Sequence, residues 1–295
     1  MNKTITEVLA EVRGKSPDVI REHVETHYIA LQKQQPRDSF IIEMDIPFGP
    51  HERQRLDVHV PKESSSKPRP VVMFVYGGGF TRGSKNRYGE WIYGNVPSLF
   101  ARNGFIGVSA NYRLAPEFGW PTGAEDVALA IDWVRKNIAH FGGDPNQLFI
   151  MGHSSGATHV ATYALRPEFH LADGPGITGA LILSGGFYMT PDDPEPNHLD
   201  YYGPVSGWNQ RNLISHAKWG DFDVFLSTAE LEPHSFNRSF TSMVDTLTQN
   251  SGRMPRVAHF QKHNHYSVVF AIGTDEQIDG ALLGFVNDTL AKYSS

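Results

Sequence analysis

The stretch LFIMGHSSGATHVA, residues 148–161, decides the fold. Four apolar residues predict a buried strand, and the small residues after Gly156 predict a helix. Between them Gly152-His153-Ser154-Ser155-Gly156 fits the pattern Gly-x-Ser-x-Gly. A tight turn between a strand and a helix lifts the central serine above the sheet edge and aims the next backbone N–H at a reacting carbonyl oxygen. Ser154 is therefore the candidate nucleophile.

Outward from this stretch, apolar runs alternate with amphipathic helical patterns along the chain. This alternation is typical of an α/β protein with a mostly parallel sheet and helices on both faces. The first two runs alternate apolar and polar residues more strongly, which favours an antiparallel edge. The eight predicted strands are Phe40–Ile46, Arg55–Val60, Val71–Tyr76, Phe105–Ala110, Leu148–Gly152, Gly179–Ser184, Asp223–Thr228 and Arg256–Gln261.

Helical periodicity divides the chain into a large domain and a small N-terminal segment. Residues 1–38 predict two short helices separated by Ser16-Pro17, and they form either a lid over the active site or a packing arm; the sequence leaves both open. Residues 39–295 form the main domain. Its clearest helices are predicted over Ala124–Ile138, Ser154–Leu165, Ser235–Thr248 and Asp275–Ala291.

Composition excludes several classes of protein. The 295 residues carry a net charge of −6, which gives no basic footprint for a nucleic acid. No apolar run is long enough to cross a membrane, and the N-terminal residues lack the apolar core of a secretory signal. Cysteine is absent, so neither a disulfide framework nor a thiolate zinc site can form. We expect a cytoplasmic enzyme without nucleic-acid or membrane partners, and the sequence leaves a homo-oligomer open.

A glycine-rich loop follows the third predicted strand. Gly77-Gly78-Gly79-Phe80 comes directly after Tyr76, and consecutive glycines allow bare backbone amides to converge on a ligand. A phosphate-binding loop is excluded, because Ser84-Lys85 reverses the required Lys-Ser order. We therefore expect an oxyanion hole made by the N–H groups of Gly78, Gly79 and Ser155.

A serine nucleophile needs a histidine base and a carboxylate that orients the base. His263 and His265 both lie after the last predicted strand, on the loop that should approach Ser154. A metal site at these histidines is disfavoured, since no carboxylate cluster of ligand spacing accompanies them. Glu230 and Glu232 follow the strand that begins at Asp223, and geometry read from sequence does not choose between them.

Four motifs occur in the order seen in α/β-hydrolase carboxylesterases. The chain resembles the branch that contains hormone-sensitive-lipase-like, feruloyl-esterase-like and kynurenine-formamidase-like proteins, from about Leu56 to the C-terminus. The motifs are Gly77-Gly78-Gly79-Phe80, Asn111-Tyr112-Arg113-Leu114-Ala115-Pro116, Phe141-Gly142-Gly143-Asp144-Pro145 and Gly152-His153-Ser154-Ser155-Gly156.

The resemblance implies an α/β-hydrolase fold and a serine hydrolase that needs neither a metal nor an organic cofactor. Glu232 takes the place of the family's acid before proline, usually an aspartate, and His265 takes that of the histidine in an Asn-His-aromatic-Ser segment. Tyr76 departs from the pattern, because many relatives carry histidine before the glycines. That departure leaves the hydrogen bonding of the glycine loop open.

The substrate is predicted only as a class. Aromatic residues near the catalytic edge are expected to form an apolar pocket, and esters of small acyl or aryl groups are the first expectation. An amidase of arylformamidase type would use the same triad. An inactive small-molecule-binding scaffold is a third reading, disfavoured because every triad member is present. The predicted pocket residues are Phe80, Phe187, Trp208 and Tyr266.

Overall fold

All eight predicted strands are present in one sheet, in a computed structural model. The model describes residues 3–87, 89, 91–187, 189, 191–192 and 195–293, so the outermost residues of the predicted segments 1–38 and 39–295 lie outside the described ranges. The strands are β1 (Phe40–Pro47), β2 (Arg55–Pro61), β3 (Arg69–Val75), β4 (Ile106–Ala110), β5 (Gly143–His153), β6 (Gly179–Leu183), β7 (Asp223–Leu231) and β8 (Arg256–Asn264).

The order of the strands confirms an α/β-hydrolase fold with a mostly parallel sheet. Neighbours in the sheet follow the order β1-β2-β4-β3-β5-β6-β7-β8. β2 runs antiparallel to both β1 and β4, and the other neighbours are parallel. β4 and β6 are buried throughout, and β3 and β5 are buried over their last five and six residues, as expected for strands that are covered on both faces.

Helices cover the sheet. Besides three single-turn helices of four residues, the sequence did not predict α3 (Asn95–Arg102) and α6 (Pro196–Tyr202). Proline inside α3 and the polar sequence of α6 explain why periodicity missed them. Among the described residues no helix combines the length and the apolar character needed to cross a membrane. The helices are α1 (Ile5–Glu11), α2 (Pro17–Gln32), α3 (Asn95–Arg102), α4 (Thr122–Asn137), α5 (Ser155–Leu165), α6 (Pro196–Tyr202), α7 (Trp208–Arg211), α8 (Leu213–His216), α9 (His234–Ser251), α10 (Ser267–Phe270) and α11 (Glu276–Tyr293).

The sheet brings the glycine loop and the Gly-x-Ser-x-Gly turn together. β3 pairs in parallel with β5, and Val75 is opposite Gly152 at the end of the pairing. Both segments that follow these strands therefore start side by side at the carboxyl edge of the sheet. In open α/β sheets this edge is where ligands bind.

The N-terminal helices pack on the main domain. Val24 and Tyr28 of α2 are buried, and the Gln32 side chain donates hydrogen bonds to the carbonyl oxygens of Phe270 and Ile272 at 2.9 and 2.8 Å. These bonds join the end of α2 to the last residue of α10 and to the segment that follows it. The end of this segment is therefore joined to the part of the chain that follows His263 and His265.

Candidate active site

Ser154 sits in a strained turn between β5 and α5. Its φ of 56° and ψ of −124° are unusual for a residue with a side chain, and its N–H donates to the Leu183 carbonyl at 3.0 Å. The flanking glycines are required sterically. A methyl carbon added at Gly152 would lie 2.4 Å from the Gly156 carbonyl oxygen, and one at Gly156 would lie 2.2 Å from that of Val75.

Gly156→Ala is expected to destabilise the protein by about 3 kcal/mol or more, because the contacted atoms are backbone and cannot move aside cheaply. Gly280→Ala is the matched control. Gly280 lies in α11, where an added methyl carbon meets nothing within 4 Å, so the substitution is expected to be neutral or to stabilise by up to about 1 kcal/mol. Urea unfolding of the two variants measures the difference, and similar stabilities would contradict this account of the turn.

A chain of hydrogen bonds joins Ser154, His265 and Glu232. His265 Nε2 lies 2.9 Å from Ser154 Oγ, and His265 Nδ1 lies 2.9 Å from Glu232 Oε2. Because an ionised carboxylate only accepts, Nδ1 carries the proton and Nε2 is free to accept one from the serine hydroxyl. This is the arrangement that a serine nucleophile needs.

The other predicted base, His263, points elsewhere. Its Nδ1 lies 3.1 Å from Ser267 Oγ, and its Nε2 lies 3.3 Å from Asp275 Oδ2. The side chain is nearly fully buried. His263 therefore supports the loop and does not reach Ser154.

The two predicted acids also differ in position. Glu232 is buried, just after β7, and its Oε1 accepts a hydrogen bond from the Ser184 hydroxyl. Glu230 is exposed, and its carboxylate accepts the backbone N–H of Lys262 at 2.6 Å. Only Glu232 contacts His265. Sequence reasoning missed Ser184, whose one signal is its place directly after β6.

A compact turn holds His265 in place. Asn264 Oδ1 accepts the backbone N–H groups of Tyr266 and Ser267 at 3.1 and 2.9 Å, and the Asn264 N–H donates to Ser267 Oγ at 2.8 Å. The His265 carbonyl oxygen accepts a hydrogen bond from His153 Nε2 at 2.8 Å. Burial lowers the pKa of the His153 imidazole well below its usual range, so this histidine stays neutral. His153 was not predicted to have a role.

The predicted oxyanion donors lie together, but one of them already has a partner. Gly78 donates its N–H to Ser155 Oγ at 2.9 Å, so this amide already has an acceptor, and its role as an oxyanion donor stays a prediction. Gly79 has a φ of 58°, and Ser155 is the first residue of α5, so its amide has no intrahelical acceptor. The amides of Gly79 and Ser155 remain the predicted donors.

Tyrosine side chains hold the glycine loop in place. The Tyr93 hydroxyl donates to the Gly77 carbonyl at 3.0 Å. The Tyr76 hydroxyl lies 3.2 Å from the Gly83 carbonyl and accepts from Arg53 Nη2 at 2.7 Å. Tyr76 therefore helps to hold the loop through its contacts with Gly83 and Arg53.

A cavity of about 430 Å³ opens above Ser154. Phe80 and Tyr266 line it as predicted, together with Phe236, whose ring centroid lies 4.2 Å from that of His265. Further lining comes from two segments, one in the N-terminal residues predicted as a lid or a packing arm and the other not assigned to the pocket from the sequence. They are the start of α2, with Pro17, Ile20 and Arg21, and the region of α6, with Glu195, Asn197 and His198.

Two predicted pocket residues do not line this cavity. Phe187 is buried in the main core, where its N–H donates to Ser239 Oγ. Trp208 packs beside Tyr202, and its indole N–H donates to the Gly203 carbonyl at 2.8 Å. Both aromatics support the structure around the cavity and do not face it. Among the residues that the structure describes, no group of three or more histidine, aspartate or glutamate side chains could hold a metal ion.

Comparisons with known proteins show which proteins the chain is similar to. The model of the carboxylesterase family matches residues 54–192. Esterase LipC of Mycobacterium tuberculosis is 38% identical over 210 residues, which cover 69% of this chain and 47% of LipC. The probable isoprenylcysteine alpha-carbonyl methylesterase ICMEL2 of Arabidopsis thaliana is 37% identical over 234 residues, which cover 77% of this chain and 50% of that protein. The chain thus spans about half the length, or less, of the relatives it matches.

Solved structures share the fold over nearly the whole chain. A hyperthermophilic esterase from the archaeon Pyrobaculum calidifontis superposes with a TM-score of 0.72 at 19% identity, covering 99% of this chain and 98% of the other. At this identity the similarity establishes the fold alone.

Proposed function

We propose that this chain, which has the α/β-hydrolase fold and is similar to carboxylesterases, hydrolyses carboxylic esters of small acyl or aryl groups through Ser154, His265 and Glu232. One observation carries the proposal. Ser154 Oγ, His265 and Glu232 form an unbroken chain of hydrogen bonds with two contacts of 2.9 Å, at a strained turn under an open cavity. This supports acyl transfer to serine.

The reaction begins with proton transfer from the Ser154 hydroxyl to His265 Nε2, as Oγ attacks the ester carbonyl. The imidazolium that forms is stabilised by Glu232, and the negative oxygen of the tetrahedral intermediate by backbone amides. His265 then gives its proton to the departing alkoxide, which leaves as the alcohol. Water repeats the cycle on the acyl-enzyme, releasing the acid and restoring Ser154. In this second half His265 takes a proton from the attacking water and then gives it to Ser154 Oγ as the acid leaves.

The cavity supports the substrate class. At about 430 Å³ it lies at the small end of the range for ligand sites. Phe80, Tyr266 and Phe236 provide ring surfaces next to the reacting serine, which suits a short acyl chain or one aryl ring. Three expectations from the sequence stay predictions: a cytoplasmic location, the lack of nucleic-acid and membrane partners, and a possible homo-oligomer.

Hydrolysis of p-nitrophenyl acetate, butyrate and octanoate tests the function, with N-formylkynurenine as the amide substrate. We expect turnover of the short esters, weaker turnover of octanoate, and transient acetylation of the peptide that contains Ser154, detected by mass spectrometry after an acid quench. Heat-denatured protein is the control for nonspecific reaction of the acetate ester with surface groups. Turnover of N-formylkynurenine alone would favour the arylformamidase reading, and no turnover of any substrate would favour an inactive binding scaffold.

A further inference from the structure

The side chain of Ser155, next to the nucleophile, joins three segments of the chain. Its hydroxyl oxygen accepts the Gly78 N–H at 2.9 Å and lies 3.2 Å from the Tyr112 hydroxyl. The residue is 4% exposed, and it lines the cavity above Ser154. One hydroxyl therefore links the start of α5, the glycine loop after β3 and the segment after β4.

The chemistry of this contact fixes the direction of the bonds at Gly78. A serine hydroxyl has two acceptor positions and one proton, and the Gly78 amide can only donate. Burial raises the pKa of the Tyr112 phenol well above its usual range, so its hydroxyl stays protonated and can donate to the second acceptor position. With its N–H directed to Ser155, Gly78 is held as part of the loop's support.

Tyr112 is itself held firmly. Its ring stacks on Tyr76 with centroids 4.7 Å apart and an interplanar angle of 20°. Arg53 donates to the Tyr112 carbonyl at 2.9 Å and to the Gly83 carbonyl at 2.9 Å, and so binds the far end of the same glycine loop. Arg53, Tyr112 and Ser155 therefore form a connected set of contacts that holds the glycine loop.

The space around Gly78 explains why a precise support is needed. A methyl carbon at Gly78 would lie 1.8 Å from the Arg82 carbonyl oxygen, and the Arg82 N–H donates to the Gly78 carbonyl at 3.2 Å. The loop thus turns back on itself directly after the amide that Ser155 binds. Any shift of Gly78 moves the following amide, that of Gly79, relative to Ser154.

We propose that the Ser155 hydroxyl, fixed by Tyr112, is a positioning group that holds Gly78 so that the amides of Gly79 and Ser155 form the oxyanion hole. This inference rests on the proposed function, because it assigns a role within the same reaction. It differs from the predicted three-donor hole in giving Gly78 a supporting role. Catalysis should therefore depend on a hydroxyl whose hydrogen bonds are made to the glycine loop and to Tyr112.

The test compares Ser155→Ala, Tyr112→Phe and the double variant on p-nitrophenyl butyrate. We expect kcat to fall about 10- to 100-fold in Ser155→Ala, with KM nearly unchanged, since misplaced donors cost transition-state stabilisation. Tyr112→Phe should lower kcat less than Ser155→Ala does. The double variant should have the kcat of Ser155→Ala, because both substitutions remove the same contact between the Tyr112 and Ser155 hydroxyls. Inhibition by a trifluoromethyl ketone, whose adduct with Ser154 carries an oxyanion, should weaken by the same factor as kcat.

A matched control separates positioning from loss of stability. Tyr163→Phe removes a buried hydroxyl from α5, where it donates to the Pro175 carbonyl at 2.7 Å away from the cavity, so Tm should fall without a change in kcat. Three results would overturn the positioning role alone. They are a kcat of Ser155→Ala that is unchanged or higher, inhibition of Ser155→Ala by the ketone that is unchanged, and a fall in kcat of the double variant equal to the product of the two single effects. A wild-type protein that turns over no ester would overturn the proposed function as well.

Discussion

Replacement of Ser154 by alanine is expected to lower kcat for p-nitrophenyl butyrate by about 10⁴- to 10⁶-fold, since loss of the nucleophile removes the covalent route. Binding should persist, because the cavity is formed by many other residues. The folded state should keep its stability to within about 1 kcal/mol, since alanine retains the Cβ and the strained backbone of the turn. Steady-state kinetics and urea unfolding measure both quantities.

Ser235→Ala is the matched control for this substitution. Ser235 is an exposed serine on the wall of the same cavity, at the start of α9, and it is not part of the hydrogen-bond chain. Its replacement should leave kcat within about twofold of the wild type. Equal activity of Ser154→Ala and Ser235→Ala would show that the observed turnover does not use Ser154.

The sheet and the nucleophile turn could be predicted because their signals are local. The apolar residues 148–151 and the two glycines around Ser154 specify a buried strand and a tight turn without reference to the rest of the chain. The predicted ends of the strands are less exact than their predicted positions. β5 begins at Gly143, five residues before the predicted start, because Gly143 pairs with Arg69 of β3. That pairing depends on a residue 74 positions away.

The choice between the two glutamates could not be made from periodicity. Residues two apart lie on the same side of a regular strand, so Glu230 and Glu232 give the same signal. In the structure the pairing of β7 with β8 is irregular between Ala229 and Leu231, and β7 ends before Glu232. The two carboxylates consequently diverge, one to the Lys262 amide and the other to His265.

The aromatic residues show a second limit of prediction from the sequence. Phe187 and Trp208 were assigned to the pocket because they are large and lie near the catalytic edge, but tertiary packing buries them. The sequence did not predict α6, because this helix depends on contacts with other residues and not on a periodic pattern of apolar residues. Tyr201 in α6 stacks on Phe80 with centroids 4.4 Å apart, and this contact places Asn197 and His198 at the cavity.

The second large effect is expected for Glu232→Gln, which should lower kcat by about 10³- to 10⁴-fold. A glutamine amide at this position can donate to His265 Nδ1, which favours the tautomer that carries its proton on Nε2. That nitrogen can then no longer accept the proton of Ser154. KM should change little, because Glu232 lies behind His265 and is not among the residues that line the cavity.

Glu230→Gln makes the same chemical change two residues away. Its amide oxygen can still accept the Lys262 N–H, and the side chain is exposed, so kcat should stay within about twofold of the wild type. A large loss in Glu230→Gln with none in Glu232→Gln would reverse the assignment of the acid. If neither variant loses activity, His265 must be oriented without a carboxylate, and the hydrogen bond of 2.9 Å between Glu232 and His265 would have no catalytic role.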